Sequence, residues 1–429
     1  MRRALLTMLV ALAAGLPALL LRLAGAHPDE AAGTIAWSGG QLSAPVASLV
    51  FGIGVLAGAF VVSWAAELMQ FDVSRNLATA MVALLAVLPE YTVDIYLAWT
   101  AATVPANAPL ALANMTGANR LLIGIGWPAI ALAVLWTRGQ KLIRIERSRW
   151  GETFFLALAT LYSFVVPLKG SLNLFDSIVF LAIFGFYLRY VTRQEVHEPE
   201  LEGGPVGIIG GLPTATRRLV TAALFAYAGA VLFASAEPFA EGLKLTGHAW
   251  GVSEFLLIQW LAPLASESPE FLIVLIFALR GQAAAGFGTL VSSKVNQWTL
   301  LVSMVPIAYA GALVYHGLPW HQLPLDSRQT GELLLTSAQS FFALAIVLNR
   351  RFAISEAMWL LVLFLAQFTA SVGIENFTPV ARHEALFNTE KWIFSALYIA
   401  LGLRWFWIER SFVRPLVRMV ARTGRRPPA

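Results

Sequence analysis

Three observations predict an all-α integral membrane protein built from two related halves. The mean hydropathy is +0.69 over 429 residues. Apolar runs long enough to cross a bilayer recur from one end of the chain to the other, and each half carries a similar glutamate-bearing hairpin. Apolar residues make up 58% of the chain and charged residues 13%, a balance that water-soluble globules of this size do not normally show.

A hydrocarbon core about 30 Å thick takes about 20 helical residues. Runs of that order lie at 4–25, 45–68, 76–101, 108–135, 152–168, 172–191, 217–236, 252–279, 284–314, 330–348, 353–373 and 390–409. The first follows Arg2 and Arg3 and precedes Ala24, Gly25 and Ala26, so residues 1–30 read either as an anchor or as a cleaved signal peptide. With the N-terminus in the cytoplasm and one crossing per run, the basic stretches at 138–149, 189–218, 350–351 and 410–426 share the cytoplasmic side. The opposite loops hold chiefly Lys169, Lys244, Arg328, Arg382 and Lys391, as the positive-inside rule requires. The reading is a multi-pass plasma-membrane protein, of a bacterial inner membrane, with its C-terminus in the cytoplasm.

The net charge of +5 and the pI of about 9.6 follow from this topology and need no nucleic-acid partner. The expected partners are inorganic cations and membrane lipid. With no cysteine there is no disulfide, thiolate metal site or thiol catalysis. The six histidines, His27, His197, His248, His316, His321 and His383, fall near loops, which argues against a histidine metal cage at membrane depth.

Residues 196–216 form a linker rich in charge, glycine and proline. It divides a first half (45–195) from a second (217–375), and residues 388–429 add a further helix and a basic tail. The "GGPVGIIGGLP" in the linker lacks the Lys-Ser/Thr of a phosphate loop, so nucleotide binding is not expected. The repeated units lie at 76–126 and 255–303. "LAVLPEYTVDIYLAW" leads through an outer turn into "LALANMTGANRLLIGIG", and "LASESPEFLIVLIFALR" leads through an inner turn into "AGFGTLVSSKVNQWTLL". The turns face opposite sides, so the repeats are inverted, and inverted repeats with proline-broken helices at the midplane mark secondary transporters.

A carboxylate at the bilayer centre costs about 2.5–3.5 kcal/mol on insertion scales. Glu90 and Glu270 therefore need partners or a purpose. Pro89 and Pro269 each displace a carbonyl about one turn earlier, near Leu85 and Ala265, placing a hard oxygen beside each carboxylate. With Ser266, Gln297 and Asn114 these oxygens approach the set that calcium or sodium accepts. A role as helix glue is the plainer alternative for either glutamate. Asp94 with Arg120, and Glu267 with Lys294, read as an acid and a base in each hairpin, and are expected to form structural ion pairs. The sharper reading has the Lys294 ammonium standing where a transported cation would otherwise sit.

These units resemble the alpha repeats of the sodium/calcium exchanger family of calcium:cation antiporters, whose pattern is G-[ST]-S-x-P-E followed by G-N-x-x-G-S-N. "AVLPE" and "ANMTGAN" stand for the first repeat, "ASESPE" and "GTLVSSK" for the second. The resemblance implies two inverted five-helix halves, here with an extra N-terminal hydrophobic segment and an extra C-terminal helix. It also implies ion sites among the second, third, seventh and eighth core helices, and antiport by alternating access. It makes Glu90 and Glu270 the ion-binding carboxylates and matches Ser266, Ser293, Asn114, Gly117 and Asn119 to the motifs. The sequence departs at Ala86, Val87, Ala118, Glu267 and Lys294, and Gln297 stands where sodium-coupled members can carry an acid. Those departures favour proton coupling over several sodium sites. The expectation is a calcium antiporter using sodium or protons, without cofactor, with a sodium/proton exchanger as the alternative. A channel would want a continuous polar path, and an enzyme would need a nucleophile or metal set; neither pattern is present.

Overall fold

The computed structural model describes residues 2–72, 88–147, 149–193 and 204–423. Leu85, Ala86, Val87, the start of the first hairpin, the linker residues 196–203 and the last residues of the tail lie outside the described residues. The chain is helical nearly throughout, and ten helices are long and apolar enough to cross a membrane. They are α1 (Ala4–Leu23), α2 (Ala44–Met69), α4 (Asn107–Arg138), α5 (Trp150–Lys169), α6 (Leu174–Val191), α7 (Thr214–Trp250), α8 (Glu254–Arg280), α9 (Ala283–Tyr315), α10 (Ser327–Val347) and α11 (Ile354–Phe377). α3 (Leu88–Thr100) is the described part of the run at 76–101, and α12 (His383–Glu409) covers the last run. A short amphipathic helix, α13 (Val413–Thr423), follows.

The helices form two compact units, each drawn from both halves of the chain: residues 1–98 with 198–269, and residues 99–197 with 270–429. In the first unit α2 and α7 pack along their length, and α1 lies against both. Gly54 explains how closely they meet. A Cβ there would stand 2.6 Å from Ser235 Oγ on α7 and 2.8 Å from the Ala18 methyl on α1, distances that real Cβ atoms do not keep. The first apolar run is therefore a packed helix of this unit. Between α1 and α2 a three-stranded antiparallel sheet (His27–Asp29, Thr34–Trp37, Gly40–Ser43) fills the loop.

At the other end of α2, Asp72 receives a two-pronged hydrogen bond from Arg217 (2.8 and 2.9 Å) and a third bond from Arg218 (3.1 Å). The Arg217 bonds hold the Asp72 carboxyl down to about 2. Its folded pKa lies below the unfolded value of about 3.9, so the stabilisation is present above that pH and lost as pH falls towards 2. Asp72→Asn is expected to lower the melting temperature modestly at neutral pH. The two proteins should melt alike at the acid end of that window, and a constant difference across it would show that the charge is not the cause.

In the second unit two short ribbons tie loops together at opposite ends. Leu142–Arg144 pairs with Arg351–Ala353, and Ser171–Leu172 pairs with Leu323–Pro324. The first ribbon joins two stretches expected on the cytoplasmic side, the second two expected outside. α13 lies at the end of the first ribbon, with Leu416 against Trp150 of α5 and Leu348 just past α10. Asn173 and Asp326 start α6 and α10 with reciprocal capping boxes.

The second unit also carries the clearest trace of the repeat. α4 and α9 each widen into a π-helical turn, Leu122–Gly126 and Gln297–Leu301. Such turns are frequent at functional sites. Gly126 closes the first; a Cβ there would lie 2.7 Å from the Phe271 ring, so α8 approaches directly. Around these turns Trp127, Phe287 and Phe352 pack with centroids 4.8 to 6.1 Å apart, and the core extends to α10, α11 and α12.

One expectation is corrected. α8 runs unbroken from Glu254 to Arg280 with Pro263 and Pro269 inside it. Serine hydroxyls share the backbone acceptors around these prolines. Ser266 donates to the carbonyls of Pro263 (3.2 Å) and Ala262 (3.4 Å), and Ser268 donates to that of Leu264. A transmembrane helix can carry proline without breaking; each ring forgoes one backbone bond, to the carbonyls of Gln259 and Ala265.

Candidate ion-binding site

The candidate residues fall in both units. In the first, Glu90 is 1% exposed and Asp94 fully buried on α3, while Ser266 and Glu267 are buried on α8. In the second, Glu270 accepts a hydrogen bond from Ser293 Oγ at 2.6 Å. A contact this short sets the orientation of the carboxyl group. This joins the proline-glutamate step to the second helix of its own hairpin. Asn114 and Gln297 are buried on α4 and α9, and Gln297 opens the π turn.

Lys294 is buried completely. Its ammonium donates to Asn119 Oδ1 at 2.6 Å and to the Asn119 carbonyl at 3.1 Å, and it lies 4.5 Å from the centre of the Trp298 ring. The two residues are 175 apart in sequence, the same offset that separates the first residues of the two π turns, Leu122 and Gln297. Equivalent positions of the two repeats are thus bonded to each other.

The ion pair formed by Arg120 is with Glu332 on α10, at 2.6 Å and 2% exposure on both sides. The same carboxylate takes Lys391 of α12 at 3.0 Å, and Lys391 also pairs with Glu390 at 2.8 Å. Gln367 and Ser371 of α11 complete the cluster by bonding Glu390 at 2.6 and 3.2 Å. To the sequence expectations for Arg120 and Lys294 the structure adds Glu332 and Asn119, partners from outside each residue's own hairpin. Lys391, expected in an outer loop, is 1% exposed within α12, since two carboxylates there offset its burial.

Glu332, Glu390 and Glu152 are buried acids that the hairpin motifs did not reveal. Glu152 at the start of α5 accepts from Ser292 Oγ at 2.5 Å, one position before the serine that holds Glu270. The rule that flags Glu90 flags Glu332 as well, because a charge inside an apolar run demands a partner. Among the described residues no group of three or more histidine, aspartate or glutamate side chains could hold a metal ion.

A polytopic helical protein of two inverted repeats, with one buried or half-buried Pro-Glu carboxylate per repeat, has the architecture of a secondary cation transporter. The chain belongs to the sodium/calcium exchanger protein family, whose pattern matches residues 43–193 and 220–373. α1 and α12 lie outside those matches, as additions to the ten-helix core. Among solved structures, the chain is 39% identical to the H+/Ca2+ exchanger CAX over 98% of each chain, with a TM-score of 0.86. It shares the fold of the sodium-calcium exchanger NCX_Mj at 15% identity, over 76% of this chain and 98% of that one, with a TM-score of 0.51. No curated protein sequence matches it.

Proposed function

We propose that this chain is a secondary active antiporter that exchanges calcium for protons or sodium by alternating access, with Glu90 and Glu270 as its cation-binding carboxylates. The observation that carries this is the Glu270–Ser293 pair in the second hairpin, on a chain 39% identical to a protein described as an H+/Ca2+ exchanger. Ser266, Ser293, Gln297 and Asn114 supply neutral oxygens, and Asp94, Arg120, Glu267 and Lys294 tune the field around them. Calcium, sodium and protons are substrates in this reading; no cofactor or enzymatic step enters it. The membrane is a plasma membrane, that of a bacterial cell, with the tail after α12 in the cytoplasm. The basic stretches that the Leu142–Arg144 ribbon and α13 gather at one end support that orientation.

Protons are the favoured counter-ion, because Gln297 is neutral and Lys294 already brings one positive charge. The test is uptake of radioactive calcium into proteoliposomes under an outward proton gradient and, separately, an outward sodium gradient. Uptake driven by protons is the expected result. Calcium movement under neither gradient would reject calcium as the substrate and turn the reading to sodium/proton exchange.

A further inference from the structure

We infer that the Lys294 ammonium is a tethered cation filling a monovalent-cation subsite that Asn119 would otherwise offer to a transported ion. This deepens the antiport reading and rests on it. Asn119 stands 12 residues into α4 and Lys294 11 residues into α9, so each lies about 16–18 Å along its helix at 1.5 Å per residue. That is roughly the middle of a 30 Å hydrocarbon core. There, the Asn119 side-chain and backbone oxygens converge on one ammonium, at 2.6 and 3.1 Å. Two oxygens of one residue meeting at a single positive charge is how a small cation is ligated, and the Trp298 ring 4.5 Å away adds an electron-rich face.

The repeat explains why this lysine can stand here. Lys294 occupies the α9 position equivalent to Asn119 on α4, where the resemblance leads one to expect a second amide. An amide pair would leave its oxygens open to an ion. A lysine in place of one amide supplies the charge covalently, and its three donors need oxygen acceptors where an ion would have taken them. The Asn119 amide is itself fixed, donating to the Met115 carbonyl at 2.9 Å, so its oxygen points to the ammonium. The consequence is one fewer exchangeable monovalent ion per cycle.

Replacing the lysine should open the subsite, and a gain of ion response separates this role from a structural one. The detergent-purified protein is melted at increasing sodium concentration, with choline as the control ion, for the natural protein, Lys294→Asn and Lys294→Met. Lys294→Gln is the second oxygen-bearing variant should the asparagine protein fail to fold. The amide variant is expected to show sodium stabilisation with a half-saturating concentration about tenfold or more below that of the natural protein, the scale of one hydrogen bond to a charge. Methionine frees the Asn119 oxygens but adds none of its own, so its gain should be smaller. An identical sodium response in the natural and amide proteins would overturn the assignment, as would an equal gain in the methionine protein. Calcium melting curves run in parallel distinguish the two levels: a natural protein indifferent to calcium overturns the antiport reading and this inference with it, whereas a calcium response without the sodium gain overturns this inference alone.

Discussion

Glu270→Gln is expected to abolish calcium exchange while leaving the protein folded and inserted. Glutamine keeps the shape of the side chain and an oxygen that can still accept from Ser293 at 2.6 Å; what it removes is the negative charge. A cation at membrane depth has lost most of its water, and a neutral amide oxygen recovers far less of that cost than a carboxylate does. The loss should be roughly a hundredfold or more in uptake rate, about 2.7 kcal/mol, since each tenfold step is about 1.4 kcal/mol. Glu90→Gln is expected to behave likewise, because Glu90 holds the matching Pro-Glu position in the first repeat and is 1% exposed. The measurement is radioactive calcium uptake in proteoliposomes, with melting temperature as the control for folding. Transport at natural rates in both variants would return the two glutamates to helix glue.

The second large effect concerns stability. Glu332→Leu removes the carboxylate that Arg120 and Lys391 share, two positive side chains of 1% exposure, while Lys391 keeps its pair with Glu390. Removing one partner of a buried ion pair typically costs about 3–5 kcal/mol, because the charge left behind is neither solvated nor neutralised. The expected outcome is a large fall in melting temperature and loss of monodisperse protein in detergent. Lys391→Met should also destabilise, by leaving Glu332 and Glu390 close together. Lys391→Met combined with Glu390→Gln should cost clearly less than the sum of the two single changes, as coupled neighbours do. Additive losses would mean that α12 is held by its apolar packing and not by this cluster.

These two experiments probe different kinds of information. Glu90 and Glu270 stood out in the sequence because a proline followed by an acid in the middle of an oily run is costly wherever the chain goes, and its recurrence in both halves made the pattern specific; Ser293 came from the family resemblance. The helices were legible for a similar reason. Whether a segment suits hydrocarbon depends on its own residues, and twelve such runs reappear in ten membrane-length helices, in α3 and in α12. The Glu270–Ser293 bond links helices of one hairpin, 23 residues apart, and joins two positions that the family resemblance had matched to its motifs.

What only the tertiary structure decided is the partner of each buried base. Arg120 meets Glu332 across 212 residues, and Lys294 meets Asn119 across 175. Neither of these partners lies in the hairpin of the base it meets. The choice rests on which helices pack together and on which face each side chain leaves its helix, neither of which a linear pattern encodes. Lys391 makes the same point for exposure. A lysine near a helix start reads as a loop residue until the carboxylates of Glu332 and Glu390 stand beside it. Hydropathy is a property of a segment, and the sequence determined it alone; electrostatic neutralisation is a property of a pair, and only the packed helices bring the pair together.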